Sequence, residues 1–374
     1  MSLLATRMQN LRSGSNLDRN ELRPSRYGAL DVFMQQTNDP AGILTPELRQ
    51  KAEQSIGRTL ETPVIKYDSG ISIGSTRSVT IADSENESAM FTINFTTYAW
   101  GFTIVPAMYM NNEISMQRDF EAKFNKYLYA FAKKLDESCV SALEAAKTQV
   151  FKDKLGYDTT GNSVTAPWLD RESIIGDLNP IMAANDYFQP LHIVGNGGVE
   201  SIIRKLAQKG LYNEVNKQLE YNDKILHFTN EVENDSNDYA TGFAVADGML
   251  GLLFRFEREC LLGTRARTGH EWGIENLPML NIPVGTYYYE SVGDFNAIAG
   301  AATADMTRNL KQHYGFAVDV AVVTPYNSAP ATIASPIVKF DITGGNARDV
   351  KNVVIVSSEE NPVYTSAVSA GVGG

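Results

Sequence analysis

Four histidines, His192, His227, His270 and His313, are the side chains best suited to acid–base or metal chemistry in this chain, and their spacing argues against both. None stands at metal-ligand spacing from a second His or Cys. Each therefore reads as an ordinary strand or loop residue. The run Gly195-Asn196-Gly197-Gly198-Val199-Glu200 lies between a strand pattern and a helix pattern and has the look of a nucleotide cradle. Glu200, however, occupies the place where the dinucleotide fingerprint needs its third glycine. A tight turn is the better account. Asp235-Ser236-Asn237-Asp238 opens like a calcium loop, yet Tyr239 and Ala240 stand where a ligand and the turn glycine belong. It reads as a solvated loop. Glu257 and Glu259 are interleaved with Arg255 and Arg258, the pattern of a surface ion-pair network. No Gly-Lys-Ser phosphate loop occurs. The sequence thus assigns no catalytic, cofactor-binding or metal-binding residue and implies no cofactor.

The elements that would have to position any chemistry are more informative. From Thr62 to Pro106 the chain reads as a long hairpin. Phe91, Ile93 and Phe95 alternate with Thr92 and Asn94, and Tyr98, Trp100, Phe102 and Ile104 then alternate on the opposite parity. The slip at Thr96-Thr97 predicts a bulge or twist. A partner strand over Val64 to Ile81, joined through the acidic tip Asp83 to Ser88, would make a ribbon reaching ~50 Å at ~3.3 Å per residue. A two-stranded ribbon of that length is marginal alone. Its aromatic face is expected to find cover on a neighbouring copy.

A helix pattern follows from about Glu113 to Val150. Phe120, Phe124, Leu128, Phe131, Leu135, Cys139, Ala142 and Ala146 recur at three- and four-residue steps, with charged residues mostly between them. Asn111 or Asn112 is the expected N-cap, and Lys147 and Lys152 suit the negative end of the dipole. The apolar positions hold no strict heptad, so a coiled coil ranks low. Neither ribbon nor rod looks able to bury itself within one chain, and the mismatch points to assembly.

The 374 residues, 43% of them hydrophobic, suffice for two lobes plus extensions. Cys139 and Cys260 form no disulfide framework and suit a reducing compartment. No apolar run approaches a membrane span and the N-terminus lacks a secretory apolar core, which predicts synthesis in the cytoplasm. The net charge of −11 argues against a general nucleic-acid-binding surface. Residues 1–30 depart from it, with five arginines against Asp18 and Glu21, a net +3 that leaves −14 for the rest. A basic arm, extended in isolation, precedes an acidic body. Leu3, Leu4, Met8, Leu11 and Leu17 make docking a better account of the arm than a mere spacer.

Along the rest of the chain, Thr45-Pro46-Glu47 opens a short helix to about Leu60, and a second helix pattern runs from Asp170 to Tyr187, interrupted by Pro180. Leu191 to Val194 reads as a buried strand and Val199 to Lys209 as a helix stopped by Gly210. Further strands are expected at Ile225 to Val232, Phe243 to Ala246, Pro283 to Tyr289, Gly315 to Thr324, Ile337 to Ile342 and Val353 to Ser357.

This order of elements, with the lobe beginning Pro190-Leu191-His192-Ile193-Val194-Gly195-Asn196 and the late strands Tyr314 to Pro325 and Ile337 to Asp341, resembles the major capsid protein of tailed bacteriophages. The resemblance is one of architecture across nearly the whole chain. It implies an α+β, HK97-like capsid fold with an N-terminal arm (1–45), a short helix and extended loop (46–111), a peripheral domain with the spine helix (112–187), an axial domain (188–314), and returning peripheral-domain strands with a C-terminal tail (315–374). It further implies a non-enzymatic protein that self-assembles into an icosahedral shell enclosing double-stranded DNA. The implied partners are other copies of the chain in hexameric and pentameric capsomers, portal and scaffold proteins, and packaged DNA bound without sequence specificity; no membrane is implied. The place would be the virion capsid, after synthesis in the host bacterial cytoplasm. Inter-subunit contacts are expected from Arg19, Arg23, Arg26, Ile71, Phe91, Ile93, Phe95 and Trp100. Some capsids of this family join a loop lysine to a neighbour's asparagine; Lys66, the only lysine of the ribbon, sits near its base, and no such bond is expected. Two other readings stand beside this one. An encapsulin-like nanocompartment shell would share the fold and need an enzyme cargo, whereas a soluble α/β enzyme of nucleotide or acyl chemistry would leave the ribbon unexplained.

Overall fold

The computed structural model describes residues 27–37, 39, 42–55, 57–65, 88–109, 115–188, 190–207, 212–213, 218–221, 224–234, 238–256, 265–267, 270–278, 280–292, 310–344, 355–358 and 361–364. Helices α1 (Gly28–Thr37) and α2 (Pro46–Gln54) lead into a hairpin of β1 (Thr59–Ile65) and β2 (Ser88–Asn94). Strand β3 (Thr96–Ile104) then hands the chain to the long helix α3 (Met116–Ala146). The Thr45 side chain caps α2 by accepting the Leu48 N–H at 3.3 Å, and Pro46 fits its first turn.

The period predicts α3 well because its stripe is continuous. Phe120, Phe124, Leu128, Phe131, Leu135, Cys139 and Leu143 are all buried. Its cap differs from expectation: Ser115, not Asn111 or Asn112, accepts the Arg118 N–H at 3.2 Å, and the two asparagines lie outside the described residues. The C-terminal end is fixed from a distance, since Ser335 Oγ donates to the Ala146 carbonyl at 2.6 Å and Thr148 N–H to Ile337 O at 2.7 Å. A helix ends where its last carbonyls find such partners.

Two sheets organise the body. The first gathers β3, β11 (Gly251–Arg255), β12 (Arg265–Arg267), β13 (His270–Asn276), β14 (Pro283–Val292) and β15 (Leu310–Val323). β15 is its axis, antiparallel to β3 along one edge and to β14 and then β11 along the other. Its alternation puts Tyr314, Phe316, Val318 and Val320 on the buried face. The second sheet runs β4 (Asp158–Thr160), β5 (Ser163–Ala166), β16 (Ile337–Thr343), β10 (Asp238–Ala246), β6 (Leu191–Gly195), β9 (Lys224–Phe228), β8 (Gln218–Tyr221) and β7 (Tyr212–Asn213). One core joins α1, α3, the first sheet and the Val194, Phe243 and Val245 face of the second. The opposite face of the second sheet packs on α4 (Ser173–Ala184) and α5 (Gly197–Ala207). A small separate sheet pairs β17 (Ile355–Ser358) with β18 (Asn361–Tyr364).

The structure departs from three expectations. Strand β3 does not continue the ribbon: the chain changes sheet at Phe95, where the parity slips, and β3 pairs with β15 from Thr96↔Val320 to Ile104↔Gln312. The expected domain divisions at 188–314 and 315–374 do not follow the sheets. β11 to β14 join β3 and β15 against α3, while β16 inserts beside β10 in the other sheet. Alternation reveals a strand but not its partner, so such crossovers are invisible to pattern. The arm drawn to residue 45 is too long, because Ala29, Leu30, Val32 and Phe33 of α1 are buried in the main core. The polar stretch Asp158 to Ser163 turns tightly between β4 and β5, where Gly161 and Asn162 take φ of 58° and 62°, the left-handed geometry of a type I′ turn.

Pro180 sits inside α4 and has no N–H for the Gly176 carbonyl four residues earlier. Lys224, buried on β9, supplies a donor instead, its Nζ lying 3.4 Å from Gly176 O.

Candidate assembly surfaces

The glycine-rich turn is occupied by its own chain. Asn196 Oδ1 accepts the N–H groups of Gly198 and Val199 at 3.1 and 3.3 Å, using the donors at the start of α5 that a phosphate would need. A Cβ at Gly198 would meet the Tyr239 carbonyl at 2.3 Å, so glycine is required there for close packing of helix on strand.

The histidines are less isolated than their spacing implies. His192 Nδ1 lies 3.2 Å from His227 Nε2, His192 Nε2 3.1 Å from Asp247 Oδ1, and His227 Nδ1 2.9 Å from Asp31 Oδ2. Parallel pairing of β6 with β9 sets Val194 opposite His227, so both rings share the face toward α1. His313 contacts Thr103 Oγ1 at 2.9 Å and Ser291 Oγ at 2.7 Å, and stacks on Tyr289, which in turn stacks on His270. No three or more His, Cys, Asp or Glu side chains are arranged to hold a metal ion among the described residues.

Asp136 escaped the sequence reading altogether. Its side chain is fully buried in α3, accepts the Leu30 N–H at 2.7 Å, and takes the Thr229 hydroxyl hydrogen. Burial pushes the carboxyl up to about 6 against the pull of those hydrogen bonds. The carboxylate sits at the positive end of α1 and ties that helix to the spine helix.

Of the eight expected contact residues, Arg19, Arg23, Arg26 and Ile71 lie outside the described residues, as does Lys66. The other four pack wholly or partly within the chain. Trp100 stacks between Phe131 and Phe316, at 4.7 and 5.6 Å between ring centroids. Ile93 and Phe95 are buried with Leu44, Leu60, Leu253 and Val323. Phe91 is half-buried against Tyr326, 5.2 Å away. The aromatic face expected to await a neighbour is therefore closed mainly by α3 and β15 of the same chain.

What stays unpaired is the outer side of each ribbon strand, among the described residues. β1 and β2 pair only with each other among the described residues, from Thr59↔Asn94 to Ile65↔Ser88, so no described strand continues the ladder on either side, and Lys51 Nζ donates to the Glu61 carbonyl at 2.8 Å. Met90 on that hairpin is 58% exposed, and elsewhere Leu169 and Phe188 reach 83% and 78%.

No protein-family model and no curated protein matches the sequence. Solved structures do. The chain superposes on a structure described as the cyanophage Pam1 capsid asymmetric unit with a TM-score of 0.51 at 11% identity, covering 89% of this chain and 96% of that one. This is a phage capsid fold. Bacteriophage PhiM1 mature capsid is matched with a TM-score of 0.44 at 11% identity, over 82% and 89% of the two chains. The capsid fold as built here is α+β and HK97-like, with α3 packed across the β15 sheet and the β1–β2 hairpin beside it.

Proposed function

We propose that this chain is the major capsid protein of a tailed bacteriophage, self-assembling into the icosahedral shell around double-stranded DNA. The observation that carries the reading is the end-to-end likeness to the Pam1 capsid subunit, which leaves little of either chain unmatched. The hairpin supports it independently, because strand edges that no described strand pairs and an exposed Met90 are liabilities in a monomer and docking elements in a lattice. Many modest contacts per subunit give a shell that is collectively stable yet reversible during assembly.

In this reading the basic arm and the ribbon reach neighbouring copies, and capsomers are hexameric and pentameric. Portal and scaffold proteins join the assembly, and the acidic body faces DNA without reading sequence. The peripheral part comprises α3 with the β15 sheet, and the axial part the β6–β10 sheet with α4 and α5. The protein performs no catalysis, is made in the host cytoplasm and resides in the virion. Negative-stain imaging and sedimentation of the purified full chain test the proposal. Closed shells or capsomers support it, and a monodisperse monomer or dimer under every assembly condition overturns it.

A further inference from the structure

The two edges of the ribbon are built differently. Phe95 N–H donates to the Arg58 carbonyl at 2.9 Å, so along β1 the backbone groups of even positions face β2 and those of odd positions face away. Pro63 agrees with that parity, since a proline within a ladder stands where its missing N–H would point outward. The outward backbone of β1 thus belongs to Thr59, Glu61 and Pro63. Opposite them in the register stand Asn94, Thr92 and Met90, which carry the outward backbone of β2.

The β1 edge is guarded. Lys51 Nζ occupies the Glu61 carbonyl at 2.8 Å, and Pro63 has no N–H to offer. At the root, Arg255 Nη1 and Ser55 Oγ both donate to the Gly57 carbonyl. Arg255 is steadied there by Asp319 at 4.0 Å, which accepts from Thr97 Oγ1 at 2.7 Å. Cations and a proline on an edge strand are the means by which folded chains refuse an added strand. β2 has neither: Ser88-Ala89-Met90-Phe91-Thr92-Ile93-Asn94 contains no charge and no proline. Among the described residues, nothing hydrogen-bonds to its outward backbone.

We propose that β2 is the docking edge of the ribbon and that its occupant is an extended segment of a second copy of this chain, added as a third strand along Met90, Thr92 and Asn94. The inference rests on the capsid reading and narrows it, because β1 is left out of the contact. In strand addition the backbone supplies affinity and alternate side chains supply fit. Met90, Thr92 and Asn94 are exposed on one face of β2, while Phe91 and Ile93 turn to the body. With no Lys or Arg on β2 and Glu61 across the ladder from Thr92, the edge suits a peptide strand and not a phosphate backbone.

Glu61 and Thr92 stand opposite each other, which gives a matched test on the purified full chain. Proline at either position removes one outward N–H and leaves the inward ladder intact. In Thr92→Pro the yield of shells or capsomers in sedimentation should fall by about tenfold or more, because the lost donor recurs in every copy of the contact. In Glu61→Pro it should stay near wild type. Amide exchange at Leu60 and Ile93 reports whether the hairpin persists in each variant. Wild type alone supplies a second readout: on assembly Met90, Thr92 and Asn94 should gain about tenfold or more protection, and Thr59 and Glu61 little. An unaffected Thr92→Pro, equal losses in the two variants, or β2 amides already protected in the unassembled chain would overturn this inference alone. A wild type that never assembles would overturn the capsid reading, and this inference with it.

Discussion

Asp136 Oδ1 accepts the backbone N–H of Leu30 at 2.7 Å across 106 positions of sequence, so the spine helix itself supplies the cap of α1. The cost is a buried charge, and its sign is testable. Because burial raises this carboxyl to about 6, it contributes stability below its unfolded value that is lost as pH rises through 6, on the order of 3 kcal/mol. Asp136→Asn keeps an acceptor for Leu30 and offers an amide donor to Thr229 without the charge. Its melting temperature should exceed that of wild type at pH 8 and converge with it near pH 4. Parallel melting curves across that range would contradict the argument.

Trp100 is predicted to matter to the subunit rather than only to the lattice. Trp100→Ala empties the space between Phe131 and Phe316 and should cost about 3–5 kcal/mol in denaturant unfolding of unassembled protein. Trp100→Phe keeps an aromatic ring there and removes an indole N–H that has no partner among the described residues, so it should cost much less. Equal losses in the two variants would show that stacking is not what the site supplies.

Replacing residues 66–87 with Asn-Gly would close the hairpin at the Ile65↔Ser88 pair with a turn suited to two residues. The shortened chain should unfold with nearly wild-type cooperativity, because the cores around α3 and α4 are extensively built from described residues outside that segment. Shell formation should be lost. Normal particles under the microscope would remove the ribbon from the assembly mechanism.

Charge reversal of Arg19, Arg23 and Arg26 to Glu should weaken assembly most at low ionic strength, where pairing with an acidic neighbour is least screened. Light scattering during assembly across a salt series gives the comparison. Identical yields at every salt concentration would leave the arm without a docking role.

What pattern could reveal was set by local periodicity. The stripe from Phe120 to Leu143 and the alternation from Tyr314 to Val320 each announce an element, because one face of each is buried and the other partly wet. α1 hides its signal, since Gly28, Ala29, Leu30, Val32 and Phe33 are covered on several sides and leave little amphipathic contrast. Pairing is the other blind spot. Nothing in Trp100 points to Phe316, and nothing in His192 points to His227, until β3 lies on β15 and β6 on β9. Asp136 follows Leu135 with no mark to separate it from an exposed acid. The long-range arrangement of the polar groups was therefore the part out of reach, while the assembly reading came from the succession of elements.

β15 also sets a timetable for synthesis. Thr97 and Asp319, joined by a 2.7 Å hydrogen bond, are 222 residues apart, and at bacterial elongation rates that interval is roughly 10–45 s on the ribosome. Throughout it the aromatic edge of β3 and the spine stripe exist without the strand that covers them. The nascent chain would thus spend that interval sticky, with folding of the first sheet deferred until the ribosome is well into the last fifth of the message. Whatever shields the β3 edge during that interval, rather than the finished fold alone, would then govern how many chains reach the closed sheet.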